Sequence, residues 1–196
     1  ESITHSYDTL QSSYGITKVT GMATGVDRDN KVVTMADGAT VPYDRLVVAP
    51  IDLRIADPHL AEEIYSGRFA VGGSMIDTGG GSPFQIEVSN QAFNRSLHGF
   101  GWLRHMRAAD HDLAFANARA LVDDWITVEG RELRGLAYEP DVLASRLIAW
   151  FSHSPIVLRG ADHGFYRRFL KSIALQSRYL RHVAPAMPGD SNRFKA

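Results

Sequence analysis

From residue 97 to residue 184, apolar side chains recur at every third or fourth position, and this period constrains the fold more than any other feature of the chain. Leu97–Ala108 reads as one helix. His111–Val128 reads as a second, with Leu113, Leu121, Val122, Trp125 and Ile126 on a common stripe and Gly130 placed to cap its C-terminal end. Pro140–Phe151 opens on proline, at the first-turn position where a missing N–H matters least. Its Val142, Leu143, Leu147, Ile148, Trp150 and Phe151 surround most of the helix, so burial is expected. His163–Ala184 is the fourth helix, with Phe165, Phe169, Leu170, Ile173, Leu180 and Val183 facing one way and most arginines the other. Pro155, Gly160, Pro185 and Pro188 punctuate the ends. Short links between successive helices predict antiparallel hairpins.

The preceding half has a different texture. Residues 1–14 carry Ile3, Tyr7, Leu10 and Tyr14 at helical spacing, with Gly15 as a C-cap. Ile16–Thr20 and Ala23–Val26 are short β-prone pieces. Lys31–Met35 and Ala39–Tyr43 flank Ala36-Asp37-Gly38, a hairpin signal in which glycine tolerates positive φ. Leu46, Val47, Val48 and Ala49 form the continuous apolar run of a strand buried on both faces. Residues 51–89 are irregular apart from a short helix at Pro58–Tyr65 and a hairpin-like pair, Arg68–Val71 and Ser74–Asp77. Composition changes most sharply at Pro50/Ile51. The expected class is therefore α+β: a small β-rich N-terminal segment, residues 1–50, followed by a mainly α, helical-hairpin region, residues 51–196.

Several chemistries are excluded or disfavoured by what the sequence lacks. There is no cysteine among the 196 residues, which removes disulfides, thiolate metal ligation and dithiol redox work. No apolar run approaches the ~18–20 residues that span a bilayer. No basic segment followed by an apolar stretch stands at the beginning, so no signal peptide is visible and the compartment stays open. The eight histidines are scattered without a His-Glu-x-x-His, which disfavours a metal site. Gly79-Gly80-Gly81-Ser82-Pro83 lacks the following Lys-Ser/Thr of a phosphate loop and is expected to be only a loop. A Gly-x-Ser-x-Gly elbow is absent. Asp123-Asp124 and Glu62-Glu63 are helix neighbours that point ~100° apart, so neither forms a facing acid–base pair.

The net charge of -1 is unevenly spread. Residues 161–196 hold Arg167, Arg168, Lys171, Arg178, Arg181, Arg193 and Lys195 against only Asp162 and Asp190. Such a helix can meet a polyanion or can be an ordinary solvated face; no nucleic-acid motif accompanies it. Trp102, Arg104, Arg146, Trp150 and His153 are candidates to line a sugar cleft, since aromatic faces stack on pyranose rings and arginine forks onto carboxylate or sulfate. The two tryptophans lie within apolar helices and suit a core equally well. Arg146 sits on the otherwise apolar helix 140–151 and needs a partner if buried. Trp125 fits its stripe as core.

Two resemblances sharpen these expectations. Gly25-Val26-Asp27, the Lys31–Tyr43 hairpin and Tyr43-Asp44-Arg45-Leu46-Val47-Val48-Ala49-Pro50 resemble the FAD-binding portion of flavocytochrome c sulfide dehydrogenase. FAD binding needs a glycine-rich turn at a helix N-terminus, and no G-x-G-x-x-G precedes this segment. Ile51 stands where such flavoproteins carry glycine, and the family's redox cysteines are missing. The expectation is no cofactor, with FAD only if this resemblance were functional. The stretches 61–73, 97–109 and 140–155 are similar to the N-terminal region of heparinase II/III-family proteins, a likeness spanning residues 51–196. Ile51-Asp52-Leu53-Arg54 suits both families.

The second resemblance implies part of an α/α toroid and a link to lyases that act on uronate-containing polysaccharides. It places the family's asparagine or histidine and its tyrosine beyond the matched residues, and so carries over no catalytic residue. The expected role is a truncated lyase module that binds acidic polysaccharide without cleaving it. The alternatives are a flavoprotein remnant or a chimeric product without a selected function. A partial toroid leaves apolar helix faces uncovered, so self-association is expected as well.

Overall fold

The computed structural model describes Val19 and residues 21–44, 52–130 and 132–184. The chain divides into two compact units, Glu1–Ala49 and Pro50–Ala196. The helix expected over 1–14 and the strand at 45–49 lie outside the described residues, as does the β piece at 16–20 except for Val19, which is in no strand. Those described make an α+β protein, with three strands in the first unit and two strands and six helices in the second.

In the first unit, β1 (Ala23–Asp27), β2 (Val32–Met35) and β3 (Thr40–Pro42) form an antiparallel sheet in that order. Val33 stands opposite Val26 on one side and Val41 on the other. The register shifts between Ala23 and Gly25, a one-residue bulge at Thr24. The β2–β3 turn closes locally: the Met35 N–H donates to Ala39 O at 2.8 Å and the Ala39 N–H to Asp37 Oδ1 at 2.9 Å. In the preceding turn, Asp27 Oδ1 accepts from the Asp29 and Asn30 N–H groups.

The second unit starts with α1 (Pro58–Tyr65), whose N-cap Asp57 accepts from the His59 N–H and which buries Ala61 and Ile64. A two-stranded antiparallel hairpin follows, β4 (Arg68–Val71) with β5 (Ser74–Asp77). Its turn needs glycine: Gly72 has φ +57, and a Cβ there would lie 2.4 Å from Ala92 O, inside van der Waals contact. The turn therefore rests directly on the start of α2 (Gln91–His98), which Asn90 caps through the Phe93 N–H.

The single helix expected over 97–108 is two helices, α2 and α3 (Leu103–Ala109). Gly99 ends the first by donating to Arg95 O, and Phe100 then takes φ +57. A left-handed phenylalanine is strained, and packing holds it there. Its ring is fully buried, with centroids 5.7 Å from Phe84, 4.9 Å from Trp102 and 5.4 Å from Trp150.

Helix α4 (Asp112–Val128) buries Ala114, Phe115, Ala118, Val122 and Trp125, whereas Leu113, expected on that stripe, is 61% exposed. Helix α5 (Pro140–Val157) runs past its expected end and through Pro155. Proline there deprives the Phe151 carbonyl of its helical donor, and the Ser154 hydroxyl takes its place at 2.9 Å. Helix α6 (His163–Val183) is capped by Asp162, which accepts from the Phe165 N–H at 2.7 Å. Helix α5 lies at the centre, packed against α2, α3, α4 and α6, so its apolar circumference is met from several sides. Among the described residues no helix is long and apolar enough to cross a membrane. The large exposed aliphatics of this unit include Leu53, Ile55, Met75, Leu113, Ile148 and Leu170.

Candidate functional site: an arginine-lined cleft beside the central helix

Helix α5 leaves one stripe uncovered. Asp141, Ser145, Ile148 and Ser152 follow each other at helical spacing and form one wall of a cleft of about 580 Å³. The facing wall comes from the β4–β5 turn, the Gly99–Gly101 break, Arg104 of α3 and the segment entering from Asp52. The left-handed Phe100 thus does two things at once. It buries a ring in the core and turns the chain so that Arg104 reaches the cleft.

The entering segment is tied down at three points. Asp52 Oδ2 lies 3.3 Å from Nε2 of the fully buried His153. Arg104 Nε donates to Ile55 O at 3.0 Å, and the Asp57 N–H donates to His105 Nδ1 at 2.9 Å. That last bond places the His105 proton on Nε2. Between these ties Arg54 forks onto Asp52, with Nε to Oδ1 at 2.9 Å and Nη2 to Oδ2 at 2.6 Å. The Arg54 hydrogen bond is the main reason the Asp52 carboxyl is held far below the usual carboxylate range. Burial lowers the pKa of Arg104, and the neighbouring Arg54 charge adds to that shift against a smaller opposing effect of Asp52. Burial, followed by the Arg104 charge, also lowers His105. At the other end Arg95 is held by Asp141 at 2.8 Å and by Glu139, joining α2 to the start of α5.

Of the five residues proposed from the sequence to line a sugar cleft, Arg104 is the one placed with charge in the cleft. Trp102 borders it but is only 2% exposed, with its indole N–H donated to Leu97 O, so no ring face is offered to a sugar. Trp150 is a core residue at 0% exposure, packed edge-on to Trp125 at 5.4 Å. His153 is buried and acts on the cleft through Asp52. Arg146 is also fully buried and points into the core. Its Nε donates to Gln176 Oε1 at 2.7 Å and its Nη1 to His98 O and Ala137 O at 3.0 and 2.8 Å. Its guanidinium lies 4.0 Å from the centre of the Trp125 ring. Burial without a bonded carboxylate pushes Arg146 down to about 9. Carbonyls, an amide and a π face answer this buried cation in part, and its Nη2 has no hydrogen-bond partner among the described residues.

Sequence inspection missed Asp52, Arg54, Gly101 and the serines of α5. The visible signal was the Gly99-Phe100-Gly101 break in an otherwise helical period, which marks a place where a side chain is re-aimed. A second cavity, about 530 Å³, is lined by His98, Glu129 and Arg134 among others. Among the described residues no cluster of three or more His, Cys, Asp or Glu side chains is arranged to hold a metal. No family model matches the sequence, and no solved structure matches the chain.

Proposed function

We propose that the second unit binds acidic, uronate-containing glycans, in the manner expected of an N-terminal module of a heparinase II/III-type lyase, and does not cleave them. The observation that supports this most is the pairing of Arg54 with Arg104 in an open cleft whose other wall carries serine hydroxyls. Guanidinium groups suit planar carboxylates, and hydroxyls suit the neutral faces of a sugar. The described lining residues include no tyrosine to take or return a proton in an elimination, and His105, the one imidazole among them, has its Nδ1 occupied by the Asp57 N–H.

Calorimetric titration of the purified chain with an unsulfated polyuronate, against dextran as the neutral control, tests the reading. A charge-assisted hydrogen bond contributes about 1.5–3 kcal/mol, so Arg104→Ala should weaken polyuronate binding about tenfold or more. Equal binding of dextran, or an Arg104→Ala variant that binds as well as the wild type, would remove the reading. Release of an unsaturated uronate would overturn its non-cleaving half.

A further inference from the structure

Gly101 faces the cleft without a side chain. The point where its Cβ would stand is 3.0 Å from Arg54 Nη1, 3.6 Å from Arg54 Nη2 and 3.5 Å from Arg104 Nη1. Two guanidinium groups, fifty residues apart in sequence, thus converge on one small volume. Like charges repel, and bringing two together in a cleft calls for a counter-charge. Asp52 bonds only one of them, taking Nε and Nη2 of Arg54, and reaches Arg104 through its charge alone. Arg104 forms no ion pair among the described residues; its Nε and Nη1 donate to the carbonyls of Ile55 and Gly101. The Arg54–Asp52 pair is neutral, so the corner keeps one net positive charge. Arg54 Nη1 and Arg104 Nη2 show no hydrogen bond within the described residues.

We infer that this corner is a subsite for a tetrahedral oxyanion, a sulfate or phosphate ester, received between Arg54 and Arg104 across Gly101. The inference rests on the same cleft as the glycan reading and specifies which group enters it. A carboxylate has two oxygens in one plane and is satisfied by a single guanidinium fork. Here the free donors come from two guanidinium groups on separate segments. An ester of sulfuric or phosphoric acid carries three terminal oxygens directed apart, so each guanidinium can take its own. The missing side chain at Gly101 leaves a space bordered by Arg54 Nη1 and by Arg104 Nη1, which keeps a second N–H beside the one it gives to Gly101 O.

The test is calorimetric titration of the full chain with methyl sulfate, methyl phosphate and acetate, at ionic strength held constant with sodium chloride. At least one ester should bind saturably, with acetate weaker by about fivefold or more, because one fork then lacks a partner. Whichever ester binds identifies the source chemistry. Arg54→Gln, on an exposed segment, should weaken ester binding about tenfold. Gly101→Val should do the same by filling the space and displacing Arg54. If Gly101→Val fails to fold, the Arg54→Gln result decides alone. Acetate binding as tightly as both esters, ester binding that never saturates, or an unaffected Arg54→Gln variant would each overturn the inference. Unsulfated polyuronate bound without any ester preference would remove the subsite and leave the glycan reading standing. Ester binding without polyuronate binding would do the reverse.

Discussion

His98 Nδ1 accepts a hydrogen bond from the Trp125 indole N–H at 3.0 Å. An indole nitrogen only donates, so Nδ1 carries no proton and the ring is neutral, with its hydrogen on Nε2. Burial is the main force pushing its pKa down to about 4, and the nearby Arg146 charge adds to it. In the unfolded chain the same ring titrates near its ordinary value of about 6.5. Between these values the unfolded chain binds more protons than the folded one, so stability rises with pH across that window. The contribution is complete above about pH 6.5 and is lost as the pH falls toward 4. A difference of roughly two and a half units, at ~1.36 kcal/mol each, gives about 3 kcal/mol at most.

Carboxylates titrate in the lower part of the same window, so the assay needs an internal control. His98→Gln offers an amide oxygen to the Trp125 N–H and does not titrate. Urea unfolding of both proteins between about pH 7 and pH 4 should show the wild type losing about 3 kcal/mol more than the variant. An NMR titration of the His98 ring should find no protonation near pH 6.5. Equal losses in the two proteins, or a His98 resonance that titrates like a free histidine, would refute the reasoning.

Arg146→Met keeps the volume of the side-chain stem but strands the carbonyls of His98 and Ala137, each at a cost of about 1–3 kcal/mol, partly offset by no longer burying a charge. The urea midpoint should fall and the His98 pKa should rise; an unchanged His98 titration would break the proposed coupling. Ser154→Ala should cost about 1 kcal/mol by leaving the Phe151 carbonyl without a donor, while Pro155→Ala should gain about 1–3 kcal/mol by restoring the backbone N–H. A neutral Ser154→Ala would show that the hydroxyl does not substitute for the helix bond, and a destabilised Pro155→Ala would show that the proline costs this helix nothing. Excess FAD is expected to leave the thermal midpoint unmoved, because the sequence has no glycine-rich turn for a pyrophosphate; a clear rise would revive the flavoprotein resemblance.

The parts of this fold that could be read from the sequence are those whose signal is local. The β2–β3 hairpin, the helix at Pro58–Tyr65 and the Arg68–Asp77 hairpin stand where turn residues and periodicity place them, because caps and turns are settled within a few residues. The breaks in helix period were not local matters. Phe100 takes a left-handed φ because Phe84, Trp102 and Trp150 enclose its ring, and two of those lie on other elements. Pro155 fails to stop α5 because the Ser154 hydroxyl covers the orphaned carbonyl and Ile156 and Val157 remain buried beyond it.

The site divides in the same way. Arg104 was legible beside a glycine-marked break, but nothing in Asp52-Leu53-Arg54 announces that Arg54 will meet it across Gly101. Arg146 looked like a ligand because a cation interrupts an apolar helix, and that pattern alone does not say whether the cation faces a cleft or a partner in the core. The facing helix held the discriminating signal. Between Phe169 and Leu180 the buried stripe of α6 carries Ser172 and Gln176, two polar positions in an otherwise apolar face. Gln176 accepts from Arg146, and its amide N–H donates to the Ser172 hydroxyl. An interruption matched on two packed helices marks a buried pair, whereas an unmatched one, such as Arg104, marks a side chain with a free charge to offer.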